Sequence, residues 1–161
     1  MANHSYMTIT GKTMGLISAG CSSQDSIGNK CQDDHFDEIM VLSYAHSMEN
    51  IGNIKHATHT PIAITKYIDK SSPLLAEALT RREEIKCEIN FYRTSPQGAH
   101  EKYYTIKISE GQVACLTTES PHSVLQVDAE PQEVITLRYG TITWTHHIAK
   151  TSGYSFWGED I

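Results

Sequence analysis

The chain has 161 residues, which suits a single domain that buries a core without disulfides or a structural metal. Its 39% hydrophobic and 20% charged residues are those of an ordinary globular protein, and its net charge of −6 argues against binding a phosphate backbone, which needs clustered Lys and Arg. No apolar run approaches the length that spans a bilayer, and Met1-Ala2-Asn3-His4-Ser5-Tyr6 lacks the basic and apolar regions of a signal peptide, so folding in the cytoplasm without membrane insertion is expected.

Apolar and polar residues alternate with period two along most of the chain. Residues 4–10 set Tyr6, Thr8 and Thr10 against Met7 and Ile9. A glycine-punctuated stretch, 11–28, follows with no clear period, apart from a brief pairing at Leu16-Ile17. Residues 38–46 read as a strand, and 62–68 place Ile62, Ile64 and Ile68 on one face. Between these strands, residues 47–61 are polar and aperiodic, a loop long enough to suggest a function of its own.

The period then changes. Ser72 suits an N-cap and Pro73 a first helical position; Leu74, Leu75, Ala78 and Leu79 follow at helical spacing, predicting one helix over about 72–83. Beyond it, Ile85, Cys87, Ile89 and Phe91 alternate with Lys86, Glu88, Asn90 and Tyr92. Pro96 and Gly98 mark a turn. Residues 102–109 and 112–118 predict two further strands, the second ended by Ser120-Pro121. After a loop at 128–131, strands 132–139 and 141–148 flank a bend at Gly140. Seven or eight short strands with one helix define a mainly β sandwich or barrel occupying residues 1–161 as one domain.

Catalytic patterns are sparse. The nine histidines invite a metal site, but His146 and His147 are strand neighbours and point to opposite faces. His56 and His59 can share a face of a turn, with His46 joining them, yet no carboxylate stands at matching spacing and HExxH is absent. Exposed loop histidines are the plainer reading. Asp33, Asp34, Asp37 and Glu38 lack the calcium-loop spacing and read as a solvated acidic turn. Cys21, Cys31, Cys87 and Cys115 contain no CxxC pair, so four free thiols are expected, with a Cys21–His dyad unsupported by any pattern. Nucleophile-elbow and phosphate-loop motifs are absent. The aromatics Tyr103, Tyr104, Trp144, Tyr154, Phe156 and Trp157 suit packing or an interface better than a ligand platform. Neither a metal nor a cofactor is implied.

Several stretches resemble the haemolysin-coregulated protein (Hcp) family of type VI secretion. They are Gly15-Leu16-Ile17-Ser18-Ala19-Gly20-Cys21-Ser22-Ser23 with Ser26-Ile27-Gly28-Asn29; Lys66-Tyr67-Ile68-Asp69-Lys70-Ser71-Ser72-Pro73; Phe91-Tyr92-Arg93-Thr94; and Trp144-Thr145-His146-His147-Ile148-Ala149 followed by Thr151-Ser152-Gly153-Tyr154-Ser155 and Trp157. One departure is Asp33-Asp34, where the family has an apolar residue and a glycine before the histidine at 35. The resemblance implies a β-barrel of two packed antiparallel sheets with a helix at its side; some members carry an appended toxin domain, and none is expected after Ile161. It further implies a non-enzymatic homohexameric ring that stacks on copies of itself into a tube. A contractile sheath expels that tube, a spike protein caps it, and effector proteins travel in its lumen. Such a protein leaves the cytoplasm without a signal peptide. In this family an extended loop contacts the next ring, which makes Asn50, Ile51, Asn53, Ile54, His56 and His59 stacking candidates.

The strand at 38–46 is apolar on both faces and is therefore expected to be buried on both. Met40, Leu42 and Tyr44 are assigned to the barrel core, leaving Val41, Ser43 and Ala45 as candidates for the lumen or a subunit interface. The alternatives are a barrel that binds a small ligand in its interior and a histidine-based metal-dependent protein.

Overall fold

The computed structural model describes residues 4–52 and 55–158. The strands in chain order are β1 (Ser5–Gly11), β2 (Gly15–Leu16), β3 (Ile39–Ala45), β4 (Met48–Glu49), β5 (Thr58–His59), β6 (Ile62–Tyr67), β7 (Ile85–Thr94), β8 (His100–Glu119), β9 (Gln132–Arg138), β10 (Thr141–His146) and β11 (Thr151–Phe156). A one-turn helix, α1 (Gln24–Ile27), precedes β3, and α2 (Ser72–Arg81) joins β6 to β7. Nine strands form one antiparallel sheet in the order β11-β10-β8-β7-β1-β3-β6-β9, with β2 on β1; β4 and β5 form a separate ladder. Because β9 also pairs with β8, the path β8-β7-β1-β3-β6-β9 closes on itself as a barrel-like ring, which removes most free edges.

Closure depends on β8. The predicted strands 102–109 and 112–118 are halves of this one strand of 20 residues. Its first half pairs with β7 on one side and β10 on the other, and its second half pairs with β9. The change of partner occurs at Glu110, whose φ is 53°, and Gly111, where a Cβ would lie 2.9 Å from the Arg138 carbonyl oxygen. The break in alternation there reads as a turn in sequence, but it is a bend within a continuous strand.

Inward residues fill the interior. Met7, Ile9, Ile39, Ile62, Ile64 and Ile135 are fully buried, and Leu75 and Ala78 of α2 join the same core. Tyr6, on the opposite face of β1 from Met7, is buried too, stacked at 3.7 Å on His35 in the short turn Asp33–His35. That turn is where Asp33 and Asp34 lie, exposed.

Alternation in β6 carries an outcome the sequence reading missed. The inward position after Ile62 and Ile64 belongs to Lys66, while Ile68 lies past the strand end, 45% exposed. Lys66 is fully buried and donates to Glu133 at 2.8 Å, Asp69 at 3.0 Å and the Ser72 hydroxyl at 3.1 Å. This buried cluster ties the start of α2 to β6 and β9. It also moves the helix start: the N-cap is Ser71, whose hydroxyl donates to Asp69 instead of capping. The helix stops at Arg81 because Arg82 turns left-handed, and Glu83 then accepts hydrogen bonds from Thr13 and the Met14 amide across the β1–β2 turn.

Candidate assembly surfaces

On β3, Ile39 and Val41 point into the core, Val41 being only 6% exposed, which excludes it from an outer surface. Met40 is partly exposed and Leu42 is 37% exposed, so the expected inward set of Met40 and Leu42 is corrected. The reason is a bulge. Val41 pairs with Lys66 but Ser43 pairs with Thr65, leaving Leu42 as an extra residue that reverses the parity of the strand. After it Tyr44 packs on the core while Ser43 and Ala45 face outward.

These two residues begin cross-strand rows. Ser43 stands beside Thr65, which stands beside Val134, which stands beside Thr117. Ala45 leads in the same way to Ala63, Thr136 and Cys115. These two rows across the outer face of β3, β6, β9 and the second half of β8 are thus small and uncharged. On the far side, Thr8 meets Glu88, Glu88 meets Lys107 and Lys107 meets Thr143, a face with both charge signs.

The polar stretch expected as a loop at 47–61 is a hairpin with a hydrogen-bonded base. Met48 pairs with His59 and Glu49 with Thr58, and the Thr60 hydroxyl donates to the Ser47 carbonyl at 2.7 Å. Asn50, Ile51 and His56 are exposed toward its tip; Asn53 and Ile54 lie outside the described residues. His59 differs from expectation. It is 7% exposed, stacked on Trp157 at 5.9 Å, and bonded to the Tyr139 hydroxyl at 2.6 Å and the Ser155 hydroxyl at 3.0 Å. His46 reaches the same Tyr139 hydroxyl at 2.8 Å. Burial lowers the affinity of both rings for a proton, and His46 is lowered further by the facing His59. Sequence reading brought His46, His56 and His59 together as metal candidates; the structure brings His46 and His59 together around a phenol.

The remaining candidates separate. His146 accepts from the Ala149 amide and His147 meets Thr105, so the adjacent pair serves different neighbours. Asp37 accepts from the Gly20 amide, and Glu38 lies 3.2 Å from His35. The Cys21 thiol is pushed up to about 11, mainly by burial and then by Asp69, which keeps it protonated and unreactive. All four cysteines are unpaired, and Cys115 is the exposed one. Among the described residues no group of three or more His, Cys, Asp or Glu comes close enough to hold a metal ion.

Two apolar surfaces stand out, the first unforeseen in sequence and the second carrying Tyr154 and Phe156, aromatics already read as suited to packing or an interface. The loop between β8 and β9 exposes Val124, Leu125 and Val127 at 75%, 78% and 79%. His122 shapes it by accepting from the Val124 and Leu125 amides. The second is β11, an open edge of the large sheet, with Tyr154 and Phe156 exposed at 70% and 64% and their rings packed edge to face. Apolar residues between Pro121 and Pro131, far from any periodic segment, were the available signal for the first.

Exposed apolar groups gathered on a loop and a sheet edge mark surfaces that meet other proteins. The family model described as "Type VI secretion system effector, Hcp" matches residues 6–146, and the chain belongs to this family. It is 36% identical to the "Major exported protein" of Pseudomonas aeruginosa over 176 residues, covering all of this chain and 99% of that one. A solved structure titled "Crystal structure of Hcp protein" superposes with a TM-score of 0.92 at 30% identity, covering 98% of this chain and 99% of the other. The secreted protein Hcp3 from Pseudomonas aeruginosa superposes at 0.87 with 38% identity, covering 98% and 100%. No helix among the described residues is long and apolar enough to cross a membrane.

Proposed function

We propose that this chain is a tube subunit of a type VI secretion machine. Six copies close head to tail into a ring, and rings stack through the hairpin of residues 48–59. Effector proteins occupy the lumen, and a contractile sheath drives the tube out behind a spike protein. The subunit folds in the cytoplasm and leaves as folded protein, in keeping with relatives named as exported.

The observation that carries this reading is the pair of distinct apolar patches on one protomer: Val124, Leu125 and Val127 on one loop, Tyr154 and Phe156 on the β11 edge. A closed ring is made of heterologous contacts, in which each subunit meets its neighbours through two different surfaces. A two-fold dimer would need only one self-complementary patch. The rows begun by Ser43 and Ala45 suit the lumen wall, because small uncharged side chains let varied cargo pass without a fixed charge partner. The exposed residues Asn50, Ile51 and His56 suit contact with the next ring, while His59 anchors the hairpin from below.

The test is light scattering on a sizing column with wild type and Leu125→Glu. The position is 78% exposed, so the variant should keep its circular dichroism spectrum. The reading expects a six-subunit mass for wild type and a monomer for the variant. An assembled variant would show that this loop is not a ring contact.

A further inference from the structure

The base of the hairpin holds a hydrogen-bond network with a limit on how many protons it accepts. His46 Nε2 and His59 Nδ1 lie 2.8 Å and 2.6 Å from one oxygen, Tyr139 Oη. A phenol carries one proton, so it donates to one ring and accepts from the N–H of the other. The network continues at both ends. His46 also bonds the Thr60 backbone, and His59 bonds the Phe156 backbone and the Ser155 hydroxyl on β11. It therefore joins both legs of the hairpin to the end of β9 and to the last strand of the sheet.

Proton counting follows from this geometry. With both rings neutral the phenolic proton serves one facing nitrogen, and the other ring bonds Tyr139 Oη only where its own N–H points there. One ring can take a proton without conflict, because the hydroxyl turns toward the ring that stays neutral. A second proton cannot be placed. Both nitrogens facing Tyr139 Oη would then donate, the phenolic proton would have no acceptor between them, and two cations would flank one atom.

The surroundings offer little relief. Lys55 and His56 border His59 from the hairpin side, with Tyr154 and Phe156 opposite. Arg138 lies 5.1 Å over the Trp157 ring, and Glu84 and Glu110 line the groove beside Tyr139. From β3, Tyr44 approaches Tyr139. Among the described residues no carboxylate hydrogen-bonds to His46 or His59.

We propose that His46, Tyr139 and His59 form an acid-released latch, which holds the β4–β5 ladder on the body of the protomer at neutral pH and frees it in acid. The sign follows from the direction in which burial moves both rings. Both histidines bind a proton less readily in the latched state than the ordinary value of 6.5. The latch therefore holds above that value and weakens as pH falls below it, the loss setting in with the second proton at up to roughly tenfold per pH unit. A consequence for ring stacking rests on the proposed role of the hairpin; the latch itself does not.

Amide hydrogen exchange on the full chain tests it, at about pH 7.5 and about pH 5, with rates corrected for intrinsic pH dependence. The expectation is at least roughly tenfold faster exchange of the hairpin amides in acid, with β1 and β7 unchanged. Tyr139→Phe keeps the ring packed on Trp157 and should loosen the hairpin at both pH values. His46→Asn, at a half-buried position, should blunt the acid response without disturbing the core. Wild-type hairpin exchange equal at the two pH values, or an undiminished acid response in both variants, overturns the latch. Tube lengths imaged at the same pH values separate the two readings. A loosened hairpin with intact tubes keeps the latch and removes the stacking role; tubes that shorten while the hairpin stays protected remove the latch.

Discussion

Lys66→Met removes the charge at the centre of the buried cluster that joins β6, β9 and α2, while keeping most of the side-chain length. Lys66 is fully buried and bonds both Glu133 and Asp69. Without it, Asp69 retains the Ser71 amide and hydroxyl, and Glu133 retains Ser72 and Thr118, but both carboxylates lose their counter-charge. Breaking one partner out of a buried ion pair costs about 3–5 kcal/mol. At about 2–4 °C per kcal/mol for a chain of this size, Tm should fall by roughly 6–20 °C. Replacing Glu133 by Leu as well should recover part of that, since one of the two carboxylates left without a counter-charge is then gone. The acid side gives a second readout. Burial pushes the Glu133 carboxyl up, but its bonds to Lys66 and Ser72 outweigh burial and hold it below the usual 4.5. The folded state therefore gains stability from Glu133 above that value and loses it as pH falls through it. Lys66→Met should flatten this loss. Urea unfolding followed by circular dichroism, at one protein concentration, measures both effects. A single variant that loses less than about 1 kcal/mol, or a double variant no better than the single, would refute the reasoning.

Two further substitutions address the surfaces. Ala45→Glu should leave stability within about 0.5 kcal/mol, because the side chain points outward after the β3 bulge, yet reduce the effector co-purifying with assembled protein. An unfolded variant would contradict the orientation. Replacing residues 50–57 with a tight turn keeps the β4–β5 ladder and the His59 anchor, and should leave single rings that stack into shorter tubes by electron microscopy. Tubes of normal length would end the hairpin's stacking role.

Period-two alternation was enough to place β1, β3, β6, β7, β9 and β10 within a few residues, because each has one face on the core. What it missed has physical causes. The extra residues at Leu42 and at Ala114 break parity inside strands, and sequence alone does not say whether a phase break is a bulge or a turn. Strand β11 shows no alternation because nearly all of it is exposed. The burial of Lys66 was not legible because its neutralising partner Glu133 is 67 positions away. His59 read as a loop residue for the same reason: Tyr139, which buries it, is 80 positions along the chain. The family resemblance at 15–29, 66–73 and the C-terminal stretch pointed to the assembly, but the apolar loop at Val124, Leu125 and Val127 became visible only with the fold.

Native mass spectrometry of the purified protein, paired with negative-stain imaging, decides whether six copies close into a ring. The account predicts a mass of six subunits and ring-shaped particles with an open centre. A monomer that persists at high protein concentration would contradict it.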